Sequence, residues 1–464
     1  MTDIAAAPPA GAFPAAVADR TFLGHPRGLA YLAFTEAWER FSFYGMSGLL
    51  LLYMVQSLLL PGNAAGVIGL AALRGGIERI AGPLSDQAFA SQIYGLYSGL
   101  VYFTPVFGGM LADRLLGQRR TVMLGAVLMS AGHLLMAVNN GFLIALLLLI
   151  VGCGCLKGNI SAQVGHLYPL EEEGRRTRAF AIFSAAINIG GIVGPLVCGI
   201  SAQVWGWHVG FGVAGVLMLA GLATYVAGWR YLPPDRRRNR SDAAPPRLEA
   251  QDWRVIAALL VVALIAILPA TAYYQETNSV LLFIDASVDR GLFGWTVPTA
   301  SYISLDGIFC ILVVPPLIAL WRWQGSRGRE PGDIAKIAIG YAITALGNLL
   351  MMLPAGWAQD GARVSAAWPI LLFALNALGF MFYWPTLLAM FSRAAPAAVN
   401  GTMMGLLFFS TFLGNLLVGI LGALWERMPH AHFFALHAAL AFVPFLLMIL
   451  VARPVGRILA PAKG

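Results

Sequence analysis

The sequence predicts an all-α membrane protein with twelve transmembrane helices in two six-helix bundles. Three observations carry that prediction: the scarcity of charge, the recurrence of long apolar stretches, and the one-sided placement of arginine. Of 464 residues, 59% are hydrophobic and 11% charged, against roughly 25% charged in a soluble domain. A hydrocarbon layer about 30 Å thick requires about 20 apolar residues of helix. Stretches of that kind fall in 28–58, 88–112, 121–139, 141–164, 178–203, 208–232, 253–285, 296–322, 333–353, 367–392, 397–425 and 431–453.

Orientation follows from the basic residues. With both termini cytoplasmic, that side holds Arg20, Arg27, Arg114, Arg119, Arg120, Arg175, Arg176, Arg178, Arg230, Arg393, Arg453, Arg457 and Lys463, together with the arginines around residues 236–254 and 322–329 and Lys336. The opposite side holds Arg74, Arg79, Arg290, Arg363 and Arg427. Basic loops resist translocation, so this asymmetry fixes a multi-pass topology in the inner (plasma) membrane. It also explains the net charge of +8 without a nucleic-acid partner.

The first residues are rich in Ala and Pro, and Asp3, Pro8, Pro9 and Pro14 interrupt the apolar core that a secretory signal needs. Residues 1–27 therefore read as a flexible cytoplasmic tail. The polar, Pro-interrupted stretch PPDRRRNRSDAAPPR marks a cytoplasmic linker, 233–252, between an N-terminal bundle, 28–232, and a C-terminal bundle, 253–453, with a tail at 454–464. Two halves around a midplane site are the plan of a secondary transporter. Cys153, Cys155, Cys198 and Cys310 lie in apolar runs, so neither a disulfide nor a metal site is expected.

The strongest chemical signal is EAWERFSFYG, residues 36–45, which puts two carboxylates and a guanidinium into an apolar span. Glu36, Glu39 and Arg40 stand at i, i+3 and i+4 and share one helix face. A charge at membrane depth costs a few kcal/mol or more, so such groups pair and face a polar cavity. An ion pair that only orders packing is the alternative, but three charges within five residues exceed what packing needs. Lys157, after GCGCL, is the one lysine deep inside a predicted span, Lys336 standing at the cytoplasmic end of its own. Its natural partner is a first-span glutamate, and protonating that glutamate would break the pair; a snorkelling lysine is the alternative.

The run GGMLADRLLGQRR, residues 108–120, joins the second and third spans. There Asp113, Arg114, Arg119 and Arg120 suit a charged latch rather than a substrate site. Other polar groups in apolar spans are Asn188, Gln275, Glu276, Asn278 and Asp306. The amides serve equally well as interhelical glue; the acids point more firmly to function. Asp285 and Asp289, near a span end, read as solvated. The glycines Gly210, Gly212 and Gly215 spell GxGxxG inside an apolar span without a preceding strand, so the match is chance. Walker, HExxH and Ser/His/Asp patterns are missing from the sequence. No enzyme activity or cofactor is expected.

These segments resemble the proton-dependent oligopeptide transporter (POT) family of the major facilitator superfamily. EAWERFSFYG resembles the family's ExxERFxYYG, GGMLADRLLGQRR its signature between the second and third spans, LKGNISAQVGHLY the segment with the family's lysine, and FSAAINIGGIVGP its fifth-span motif. The resemblance implies that Glu36, Glu39, Arg40 and Lys157 couple protons; Glu276 is a further candidate as an acid inside an apolar span. It also implies that Arg40 and Lys157 engage a substrate carboxylate and that Tyr44, Tyr97 and Asn188 line the pocket; Gln275 and Asn278 are further candidates by their polarity alone. In GFMFYWP, Phe380 stands where the family has a glutamate, with Trp384 beside it. In YYQETNS, Tyr274 takes the family's other glutamate position. In SLDGIF, Asp306 replaces an Asn and is expected to face a substrate amine.

The expected function is proton-coupled symport of small peptides, di- and tripeptides, by a monomer in the lipid bilayer working by alternating access. Another small solute, such as an amino acid, an organic anion or a drug-like amine, is the alternative, and a non-transporting receptor or channel the more remote one.

Overall fold

The computed structural model describes residues 20–235 and 248–459. The expected tail before residue 20, most of the charged linker and residues 460–464 lie outside the described residues. A chain in lipid must satisfy its backbone groups within each segment, and helices do so. Accordingly α1 (Arg27–Tyr53) runs on through a π turn at Met54–Leu58, and a short surface helix, α2 (Leu70–Ala81), follows. Next come α3 (Asp86–Phe103), α4 (Pro105–Leu111), α5 (Gln118–Leu135), α6 (Phe142–His166), α7 (Glu173–Trp205) and α8 (Trp207–Gly228). Beyond the linker stand α9 (Ala250–Tyr274), α10 (Ser279–Ser287), α11 (Ser304–Ser326), α12 (Asp333–Trp357), α13 (Ala367–Ala394), α14 (Asn400–Gly422) and α15 (His430–Leu459).

Among the described residues eleven helical segments are long and apolar enough to cross a membrane. The predicted span at 121–139 corresponds to α5. It has 18 residues, about 27 Å of helix, opens on Arg119 and Arg120, and packs against α6 and α8. Sequence inspection missed α2, because its 12 residues fall short of a span.

The chain divides into two compact units, 1–46 with 104–242 and 47–103 with 243–464. In the first, α7 lies directly on α1. A Cβ at Gly190 would stand 2.3 Å from the Ala37 carbonyl oxygen, and one at Gly194 2.3 Å from that of Phe41. Two glycines four residues apart thus let the helix that carries Glu36 and Arg40 approach at backbone distance, the small-residue packing that membranes favour. This is the physical content of the FSAAINIGGIVGP motif.

In the second unit α12 packs on α13 and α15, and α9 on α14 and α15. Leu259, Val262, Ile337, Tyr341, Leu387, Phe391, Leu407 and Met448 form their shared core. Residues 47–103 group here because α3 lies on α14, where a Cβ at Gly95 would stand 2.6 Å from the Gly419 nitrogen. The seventh predicted span is not one helix. It breaks after Tyr274 into a 3-10 turn, Gln275–Thr277, and Asn278 takes φ −124°, ψ −106° before α10 begins.

Short strands cap the α10–α11 and α12–α13 connections. β1 (Val288–Asp289) runs parallel to β4 (Val364–Ser365), while β2 (Gly291–Leu292) and β3 (Trp295–Thr296) form a hairpin. Its two turn residues, Phe293 and Gly294, have φ of 49° and 80°. For a phenylalanine the left-handed conformation costs about 1–2 kcal/mol.

The N-terminal approach to α1 is pinned by a buried pair, with His25 Nδ1 2.8 Å from the Tyr168 hydroxyl. Burial, reinforced by the charges of Arg175 and Arg178, lowers the His25 pKa below its ordinary 6.5. The folded state therefore prefers neutral His25. That contribution to stability is complete above pH 6.5 and is lost as pH falls from there through the depressed folded-state value. Protection factors of the amides at residues 22–30, corrected for the intrinsic pH dependence of exchange, are expected to fall on acidification across this window, and His25→Gln is expected to remove that fall. An unchanged pH profile in the variant would count against it.

Candidate functional site

The α1 face read from the sequence forms a buried charge cluster. Arg40 Nε lies 3.0 Å from Glu36 Oε1 and 2.5 Å from Glu39 Oε2, with all three side chains at most 4% exposed. Helical spacing alone puts Glu36 one turn from Arg40, and Gly190 and Gly194 on α7 wall the helix in. Arg40 also faces the Phe43 ring at 5.5 Å. Lys157 on α6 is within electrostatic reach of both glutamates and of Cys153. Hydrogen-bonding capacity is left over, because Glu36 Oε2, Glu39 Oε1 and Arg40 Nη2 are buried without hydrogen-bond partners. A group so provided holds charge and still has donors and acceptors for a polar ligand or a proton.

The other expected residues of this unit are placed nearby or held locally. Tyr44 is half-buried, packed edge-to-face on Phe43 at 5.3 Å. Asn188 Nδ2 donates to the Ser184 carbonyl of its own helix at 3.0 Å. Of the four expected latch residues, Asp113, Arg114 and Arg120 are exposed, and Arg119 makes the observed connections. Its backbone N–H donates to Asp235 Oδ1 at 2.7 Å, its Nη2 donates to the Trp229 carbonyl, and its guanidinium lies 4.5 Å from the Trp229 ring. Asp235 thus caps the start of α5 while Arg119 caps the end of α8. Sequence reasoning missed Asp235, which sits in the linker's charge run.

In the second unit two acids, Glu276 and Asp306, have no basic hydrogen-bond partner among the described residues. Glu276, in the break between α9 and α10, accepts a hydrogen bond at Oε1 from Asn376 Nδ2 at 2.8 Å. Asp306, at the start of α11, accepts at Oδ1 from the Tyr273 hydroxyl at 2.8 Å, with Cys310 Sγ at 3.8 Å. The two carboxyls are close enough to act on each other electrostatically. Phe380 stacks on Tyr273 at 4.8 Å and on Trp384 at 6.0 Å. Phe380 and Trp384 line a recess with Tyr383, Tyr274, Ser410 and Thr411. Asn376 and Tyr273, which hold the two acids, were overlooked, although a lone Asn in the tenth predicted span was the available signal.

Gln275 and Asn278 are occupied with bracing the break. Gln275 Nε2 donates to the Val418 carbonyl at 3.2 Å, and Asn278 Oδ1 accepts from Ser91 Oγ at 2.9 Å. Tyr97 on α3 is buried in this same unit. Asp285, read from the sequence as merely solvated, is instead a hub: it accepts from Gln56 Nε2 at 2.6 Å and Thr299 Oγ1 at 2.8 Å and pairs with Arg290 at 3.3 Å. Among the described residues no group of three or more His, Cys, Asp or Glu is placed to hold a metal ion.

A membrane-embedded ion cluster in one unit and an acid pair beside a broken helix in the other define a secondary transporter. Residues 40–419 match the model of the Major Facilitator Superfamily, and the chain belongs to that superfamily and, within it, to the proton-dependent oligopeptide transporter (POT) family. It is 28% identical to a di-/tripeptide transporter of Lactococcus lactis over 96% of this chain and 99% of the relative. To a peptide transporter of Yersinia enterocolitica it is 29% identical over 87% and 88%. Solved structures agree. A peptide transporter POT in complex with sulfate superposes with a TM-score of 0.83, at 25% identity over 95% and 97% of the chains. One in complex with alafosfalin gives 0.81, at 27% identity over 96% and 98%.

Proposed function

We propose that this chain is a proton-coupled symporter that imports di- and tripeptides by alternating access, as a monomer in the inner (plasma) membrane with both termini cytoplasmic. The observation that carries the reading is the buried Glu36–Glu39–Arg40 cluster with Lys157 in reach. A proton on either glutamate neutralises one side of the pairing and frees the guanidinium for a substrate carboxylate. Glu276 and Asp306 supply the opposite sign for the peptide amine. Relatives named as di-/tripeptide and peptide transporters support the substrate class. Each proton moved through 100 mV contributes about 2.3 kcal/mol, sufficient for more than tenfold accumulation at about 1.4 kcal/mol per decade. The test is uptake of labelled dipeptides and amino acids into proteoliposomes. Dipeptide accumulation that needs an inward proton gradient and collapses with an uncoupler is expected, and gradient-independent equilibration would sink the reading.

One observation favours a second reading, a different small solute such as an amino acid, organic anion or drug-like amine. Phe380, where relatives of this type would carry an acid, is stacked between Tyr273 and Trp384, so an aromatic wall replaces a charge. Competition by unlabelled peptides against amines separates the two.

Asp306 carries the amine wherever the solute has one. Asp306→Asn is expected to reduce uptake of amine-bearing solutes at least tenfold, while the Tyr273 hydroxyl retains an acceptor in the amide oxygen and folding is spared. Uptake at the unsubstituted rate would remove Asp306 from the site.

A further inference from the structure

The hairpin between α10 and α11 carries an exposed apolar tip that neither folding preference nor packing explains. A two-residue turn with both residues at positive φ strongly favours Asn-Gly or Asp-Gly. Here the first position is Phe293, at φ 49°, and its side chain is fully exposed, with Leu292 54% and Trp295 44% exposed beside it. A bulky aromatic held in an unfavourable backbone region without burial marks a position kept for contact outside the fold. The charged residues at the hairpin's base are engaged there. Arg290 pairs with Asp285 and donates to the Val297 carbonyl at 3.2 Å, and Asp289 Oδ1 accepts from the Gly291 N–H at 3.0 Å. The tip therefore presents Leu, Phe and Trp with no charge to desolvate.

Continuity with a lipid-facing surface identifies the partner. The hairpin leads through a 3-10 turn, Thr299–Ile303, into α11. That membrane-length helix is largely unburied along its apolar stretch, with Ile311, Leu312, Ile318 and Leu320 exposed. Counting crossings back from α15, the hairpin lies on the membrane face opposite the C terminus. We infer that Leu292, Phe293 and Trp295 form a membrane-surface anchor, seated at the boundary of headgroups and acyl chains of the leaflet opposite the C terminus and continuing the lipid contact of α11. Aromatic side chains prefer that boundary, and the parallel β1–β4 pairing holds the hairpin's base.

The test uses the full chain carrying Phe293→Cys, labelled with an environment-sensitive fluorophore and reconstituted into nanodiscs of phosphatidylcholine and phosphatidylglycerol. The native cysteines are all buried, so labelling is confined to the tip. Blue-shifted emission, quenching by lipids spin-labelled near the headgroup and protection from iodide are expected. Emission as in water, open to iodide and untouched by the lipid quencher, would overturn the anchor. So would a blue shift that depends on protein concentration, because it would mean a second copy covers the tip. A companion variant keeps the turn and removes the anchor: with the label at Leu292→Cys, Phe293→Asn with Trp295→Ser is expected to lose lipid quenching while folding and uptake persist. Retained quenching there would also overturn the proposal.

Discussion

Arg40→Ala is expected to abolish gradient-driven uptake and to lower the melting temperature together. Arg40 is buried and lies 3.0 and 2.5 Å from two carboxylates that are themselves buried. Removing one partner of a buried ion pair leaves uncompensated charge, at a cost of about 3–5 kcal/mol. The variant has two ways out. Either Glu36 and Glu39 both hold protons permanently, which uncouples transport, or the α1–α7 contact loosens. Both remove the step in which proton binding competes with the guanidinium. A loss of about 100-fold or more in uptake corresponds to the lower end of that range at 1.4 kcal/mol per decade. Arg40→Lys is expected to recover folding but not transport, because a compact ammonium on a flexible stem reproduces neither the Nε held between the two carboxylates nor the spare Nη2 donor. Proteoliposome uptake read beside thermal unfolding checks both statements. Wild-type accumulation in Arg40→Lys would show that only the charge matters, and in Arg40→Ala that the cluster plays no part in coupling.

Gly95→Leu is expected to be nearly as severe, for steric reasons. A Cβ there stands 2.6 Å from the Gly419 nitrogen and 2.7 Å from the Asn415 carbonyl oxygen, both backbone atoms that cannot swing aside. Overpacking of this kind costs about 1–3 kcal/mol, occasionally more. Relief comes only by parting α3 from α14, which would break the Gln87–Gly422 hydrogen bond two turns away. A cysteine at Ser91, buried in the seam, is expected to resist membrane-impermeant thiol reagents in the parent and to react in the Gly95→Leu background, with uptake lost. Gly95→Ala should fall between. Unaltered labelling in Gly95→Leu would mean that the seam yields elsewhere.

Much of the fold was legible because its cause acts residue by residue. A stretch of about 20 apolar residues is a span whatever its neighbours do, so most of the predicted segments coincide with helices and the seventh with two. The Glu36–Arg40 cluster was legible for the same reason, since helical spacing alone brings its members together. What escaped depends on residues distant in the chain. Asn376 meets Glu276 across 100 positions, and Asp235 meets Arg119 across 116. The hub at Asp285 exists only because Gln56 and Thr299 converge on it. The grouping of 47–103 with the C-terminal helices likewise rests on a glycine-to-glycine approach that leaves no mark in hydropathy. The Gln275–Asn278 break did leave a trace, a polar run in an apolar span, but polarity does not distinguish a bend from a pocket.

The short α10 segment has a thermodynamic character of its own. Nine residues are too few to sustain a helix in isolation, where about 12–15 are marginal. Its order is therefore borrowed from its surroundings, through the Ser91–Asn278 and Gln275–Val418 bonds at one end and the Asp285 hub near the other. A segment so conditioned behaves as a fuse: it melts or re-forms as a unit when either end lets go, while the long helices around it stay intact.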